Sequence, residues 1–214
     1  MTTLHLPHRA ERRLAVRRSR ALNRLTIGWN VIEGIVAIAA GTVAGSVSLV
    51  GFGLDSGIEV SAAVILTWRL SKEAGHGCMA SFDRRATRLI ALSFAALALY
   101  VGVESARDLL SRAAPEASIV GAALAALSLI VMPLLARAKR RLAPTLGSRA
   151  ALSEANQTSL CALLSAVLLL GLGLNVAFGW WWADPSAGLA IAALAGVEAV
   201  RTWRAEDLAD TCCG

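Results

Sequence analysis

Asp55 and Glu59 are two carboxylates four residues apart in the stretch GSVSLVGFGLDSGIEVSAAVILTW, residues 45–68, which carries no other charge. On a helix, positions i and i+4 share one face a turn apart, which presents paired oxygen donors to a cation. A charged side chain at the centre of a bilayer costs roughly 2.5–3.5 kcal/mol on insertion scales, so two in one apolar segment imply a use for them. A second segment, SEANQTSLCALLS, spaces Glu154, Gln157 and Cys161 by three and four residues, again along one helical stripe. Carboxylates, an amide oxygen and a thiol converging from two helices describe a divalent-metal site. The thiolate favours softer ions such as zinc, cobalt or cadmium over magnesium. Glu33 lies within another apolar run with no basic residue in sequence reach, which makes it a candidate proton relay. His76 and Cys78, in the polar loop 69–88, are candidates for capturing metal at the mouth of the protein, although two ligands alone do not complete a zinc site.

The elements that must hold these side chains are long and apolar. The chain has 214 residues, 56% hydrophobic and 17% charged, too apolar for an ordinary soluble domain. Six apolar stretches, at about 25–44, 48–68, 89–110, 118–136, 151–178 and 182–200, each approach the ~20 residues that cross a hydrocarbon core. The expected fold is therefore all-α: a polytopic membrane protein of six transmembrane helices. Six spans bring both termini to one side, together with the loops after spans two and four. Of the 21 Lys and Arg, all but Arg107 and Arg112 fall on that side, which by the positive-inside rule makes the N and C termini cytoplasmic. The basic run RAERRLAVRRSRALNR then reads as a topology anchor on anionic lipid, and nucleic acid is not an expected partner. The division expected is a basic cytoplasmic arm at 1–24, a six-helix domain at 25–203 and a short tail at 204–214 without a further soluble domain. The location expected is a bacterial inner membrane, and no signal peptide is apparent.

Shorter features fill in this plan. Spans one and two are joined by a tight turn near 41–46, and the spacings Gly41/Gly45 and Gly53/Gly57 allow close helix approach. Gly53 and Gly57 also leave room beside the acids, and Ser56 can add a hydroxyl. Segment 137–149 reads as a basic loop broken by Pro144 and Gly147, and Pro133 as a kink or end of span four. Asp184 before Pro185 reads as a helix N-cap, and Trp180, Trp181 and Trp182 as an interfacial belt. Asp108 with Arg112, and Glu198 with Arg201 or Arg204, are expected ion pairs. Cys78, Cys161, Cys212 and Cys213 are expected to be unpaired, since each falls in the membrane or the cytoplasm.

With these residues in view, the chain resembles the transmembrane half of the cation diffusion facilitator family, metal–proton antiporters with six spans. SLVGFGLDSGIEVSAA resembles the family's second span, whose two acids four apart bind the transported metal; Asp55 and Glu59 fall on those positions. SEANQTSLCALLS resembles the fifth span, usually A-D-A-x-H-x-x-x-D, with Glu154 at the first aspartate, Gln157 at the histidine and Cys161 at the second aspartate. GWWWADPSAGLAIA resembles the start of the sixth. The resemblance implies metal efflux by metal/proton antiport, with Asp55, Glu59, Gln157, Cys161 and Glu154 as ligands. Zinc is the first expectation, with cobalt, cadmium, manganese or iron as alternatives. A homodimer through the transmembrane helices is also implied. The metal is cargo, and no resident cofactor is expected. Two other readings stand beside it: a metal-binding or regulatory membrane protein that does not turn over, and a permease for a small organic cation. No hydrolase or transferase constellation is visible, so the chain is not expected to be an enzyme.

Overall fold

Long apolar runs interrupted only at short polar breaks give one helix per run, because in a bilayer a helix satisfies every backbone polar group within itself. A computed structural model of the chain describes residues 6–72, 80–112, 115–116, 118–146 and 149–207. It is all-α, with six helices: α1 (Leu6–Ala44), α2 (Val47–Lys72), α3 (Ala80–Ser111), α4 (Ile119–Leu146), α5 (Arg149–Phe178) and α6 (Ala183–Asp207). All six are long and apolar enough to cross a membrane. His76, Cys78, Cys212 and Cys213 lie outside the described residues.

Several boundaries differ from expectation. The basic arm is the first part of one continuous helix: α1 starts at Leu6 and its candidate span begins at Leu14. Segment 137–146 is helix, with Pro133 and Pro144 both inside α4. A proline removes one backbone donor, and the rest of a long ladder with packed neighbours holds the helix through it.

The turn between α1 and α2 forms as its residues dictate. Gly45 takes φ 65°, the left-handed conformation that suits glycine, and the Ser46 amide donates back to the Gly41 carbonyl at 2.9 Å. Ser46 also caps α2, its hydroxyl accepting from the Leu49 amide at 3.2 Å. The hairpin is tight because of glycine: a Cβ on Gly41 would stand 2.8 Å from Val50 Cγ2, and one on Gly53 2.7 Å from Ile38 Cγ1. A Cβ on Gly57 would instead meet open space.

Three antiparallel pairs make up the bundle: α1 with α2, α4 with α5, and α3 with α6. Helix α2 sits among α1, α3, α5 and α6, so its acid-bearing face looks into the protein. At one end, Ala15 of α1 clusters with Ala143 and Leu146 of α4, and Arg88 of α3 lies 5.8 Å over the Trp203 ring of α6. At the other end, the Glu116 amide donates to Ala44 at 2.8 Å and Asn175 to Pro115 at 3.1 Å. Phe178, Trp180 and Trp182 form a row of rings at that second end, successive centroids 5.2 Å apart. Leu25, Ile32, Ile35, Val43, Leu99 and Leu170 point outward, as side chains facing lipid do.

Candidate functional site

Each helix of the site turns one polar stripe inward. On α2 the buried positions Phe52, Asp55, Ser56, Glu59 and Ala63 recur at three and four residues. On α5 they are Glu154, Gln157, Thr158, Cys161 and Ser165. On α1 a third stripe runs Ser19, Asn23, Thr26, Asn30 and Glu33, every member buried. All three stripes thus lie within one bundle interior, linked through α4.

Glu33 is the centre of the deepest network. Its Oε2 accepts from Ser56 Oγ at 3.0 Å and from Cys161 Sγ at 3.9 Å, and its Oε1 accepts from Ser128 Oγ. Ser128 in turn accepts from Trp29 Nε1 at 3.2 Å. Four helices therefore meet on one carboxylate with no exposure to solvent or lipid. Glu33 and Glu59 are also close enough to interact electrostatically.

A second network runs toward the basic end. Lys139 Nζ of α4 donates to Glu154 Oε1 at 2.5 Å and to Thr158 Oγ1 at 3.0 Å. Thr158 passes the chain on, donating to Glu59 Oε1 at 2.7 Å. The Lys139–Glu154 pair is buried on both sides, with side chains 3% and 5% exposed. Lys139 belongs to the segment read as a basic loop, where it is buried and its sequence neighbours Arg137, Arg140 and Arg141 are exposed.

Asp55 and Glu59 are each 3% exposed. Among the described residues, Glu59 Oε2 has no hydrogen-bond partner, and no hydrogen bond is found to Asp55. Cys161 is free and buried, and lies within electrostatic range of Glu59, Glu33 and Asp55. Gln157 is buried on the same face of α5. The residues expected from sequence thus face one interior. They do not converge on one point: among the described residues, no three His, Cys, Asp or Glu side chains form a group able to hold a metal. The side chains that bond Glu33 and Glu59 are hydroxyls, Ser56, Ser128 and Thr158, together with the Cys161 thiol.

Other acids serve the scaffold. Asp184 is not an N-cap; it lies in the first turn of α6, fully buried, and accepts from Ser46 Oγ at 2.7 Å and from Ser48 Oγ. It ties α6 to the α1–α2 turn. Glu104 pairs with Arg107 at 2.6 Å, whereas no Asp108–Arg112 pair is found among the described residues. Glu198 does reach Arg201, at 3.9 Å.

Sequence reasoning missed Lys139, Ser128, Thr158 and Asn30. Asn30 and Thr158 left a signal, the three-and-four spacing of polar residues along α1 and α5. Compared with known proteins, the chain matches no family model and no curated sequence. What stands is a polytopic membrane protein with six candidate spans and a buried acidic interior.

Proposed function

We propose that the protein is a transporter that carries a divalent metal cation out of the cytoplasm in exchange for protons. The observation that carries this reading is the state of Asp55 and Glu59: two acids on one face of an apolar helix, buried, with Glu59 Oε2 without a hydrogen-bond partner among the described residues. Leaving such groups unpaired in a bilayer is costly, and a cation that neutralises them offsets that cost. The likeness of residues 48–63 to the second span of cation efflux proteins supports the same reading.

In this mechanism Asp55 and Glu59 bind the ion, with Gln157 and Cys161 facing them from α5. Zinc is the first candidate cargo; cobalt, cadmium, manganese and iron remain in its range. Metal entering from the basic, cytoplasmic end displaces protons from the two carboxylates, and protons from the far side later displace the metal. Glu33, joined to Cys161 and to two serines, relays a proton rather than holding the ion. Glu154 is already neutralised by Lys139, so it acts at the cytoplasmic mouth of the site and not as a ligand.

Purified protein in liposomes with an imposed pH gradient tests this. Saturable zinc, cobalt or manganese flux that vanishes in Asp55→Asn is the expected result. A second reading, a metal-binding protein that does not turn over, is favoured by one observation: the Lys139–Glu154–Thr158–Glu59 chain pins α4, α5 and α2 together. Metal binding without flux would select it. Flux of an organic cation that metals do not inhibit would sink both.

A further inference from the structure

Of the buried polar side chains without a hydrogen-bond partner among the described residues, Asn30 is the one with both ends of an amide unpaired. Asn30 is 1% exposed, and among the described residues neither its Oδ1 nor its Nδ2 has a hydrogen-bond partner. Its stripe-mates are better served: Asn23 donates to Thr67 Oγ1 at 3.1 Å, leaving only its Oδ1 without a partner among the described residues, and Thr26 donates to the Leu22 carbonyl at 3.1 Å. A buried primary amide with both ends unpaired is expensive, and native proteins keep such groups where a ligand or ordered water meets them.

Where Asn30 lies follows from helix register. The antiparallel hairpin pairs Glu33 with Ser56 near mid-helix and Asn23 with Thr67 toward the basic end. Asn30 is three residues before Glu33, and Glu59 is three residues after Ser56. With equal rise along both helices, Asn30 and Glu59 stand at one level. Working inward from Asn23 and Thr67 gives the same answer to within a residue. The unpaired amide of α1 and the unpaired Oε2 of Glu59 therefore share one layer of the bundle. Two orphan groups at one level, on facing helices, point to one missing occupant.

We propose that Asn30 is a ligand of the transported cation, its amide oxygen joining Glu59 and Asp55 in an oxygen-donor site between α1 and α2. The proposal rests on the transport reading above and deepens it. It accounts for the lack of a three-member group of His, Cys, Asp and Glu, because part of the donor set is amide. It also brings a donor from α1 to the ion, opposite the thiol of Cys161, which donates to Glu33. Carboxylate and amide oxygens suit manganese and similar harder divalent ions at least as well as zinc.

The test is manganese binding to the purified full-length chain in nanodiscs, read by loss of the free-ion paramagnetic resonance signal, with zinc as competitor. Asn30→Leu is expected to weaken manganese binding about tenfold or more, the scale of losing a group that supports a metal site. Asn30→Asp, which keeps an oxygen at the position, is expected to bind at least as tightly as the unmodified chain. That variant guards against Asn30→Leu failing only because it misfolds. Thr26→Val, on the same stripe but already self-bonded, is expected to leave binding unchanged. Unaltered binding in a folded Asn30→Leu, or weaker binding in a folded Asn30→Asp, would overturn the proposal while leaving the transport reading intact provided Asp55→Asn abolishes binding. Equal binding by the unmodified chain and Asp55→Asn would remove the transport site and Asn30 as its ligand together.

Discussion

Ser128 shows how much one hydroxyl can hold in this interior. It donates to Glu33, accepts from Trp29 at 3.2 Å, and is fully buried. Ser128→Ala leaves a buried carboxylate oxygen and an indole N–H short of a partner at once. Losses of this kind cost about 1–3 kcal/mol. Unfolding in mild detergent is expected to show a loss in that range, whereas Ser93→Ala, which removes an exposed hydroxyl bonded to its own helix, is expected to stay within about 0.5 kcal/mol. Equal effects would mean that the Glu33 network contributes nothing. Lys139 gives the stronger case. Removing one member of a buried ion pair strands the other, typically at about 3–5 kcal/mol. Lys139→Met is therefore expected to be severely destabilising, and the double variant Lys139→Met with Glu154→Leu to recover most of the loss. A double variant as unstable as the single one would show that the pair is not the cause.

The helix pair α1–α2 carries the site through close approach rather than through ordinary side-chain packing. Gly53 places its carbonyl 3.2 Å from where a Gly34 Cβ would stand, and its own added Cβ would meet the Ile38 amide nitrogen at 3.0 Å. Backbone cannot move aside as a side-chain tip can, so Gly53→Ala must part the helices. The expected cost is about 1–3 kcal/mol, together with weaker cation binding, since Asn30 and Glu59 would separate. Gly57→Ala sits between the same two acids but meets open space. It is expected to be neutral or to stabilise by up to about 1 kcal/mol through helix propensity. Thermal unfolding of the two variants side by side distinguishes packing from a generic intolerance of substitution near Asp55.

At the scale of the whole molecule, most of the basic residues and the stacked tryptophans lie at opposite ends. Arg88, Lys139, Arg140 and Arg201 lie at the end where α1, α3 and α5 begin, and the Trp180–Trp182 stack lies at the other. The positive-inside rule predicts that the basic end is cytoplasmic. A chain with Cys78, Cys212 and Cys213 replaced by serine keeps only Cys161, which is 1% exposed. In that background, Arg112→Cys in intact cells is expected to react with a membrane-impermeant maleimide, and Arg201→Cys only after lysis. The reverse pattern would invert the topology and, with it, the proposed direction of transport.

Much of this protein is legible from the chain alone. Hydropathy and length are local properties, so six spans, their order and the sorting of Lys and Arg needed no tertiary contact. Helical periodicity is local too, and it put Asp55 with Glu59, and Glu154 with Gln157 and Cys161, on single faces before any packing was known. What periodicity cannot say is which face meets which, or at what depth. In a bilayer, apolar faces are interchangeable against lipid, so interhelical register is decided by close glycine contacts and by polar groups that need partners. Those conditions join residues far apart in sequence. They gave Glu154 to Lys139, placed Glu33 under Ser128 and Cys161, made Asp184 a tether, and set Asn30 level with Glu59. The sequence marked the acids, and the packing decided which of them found partners.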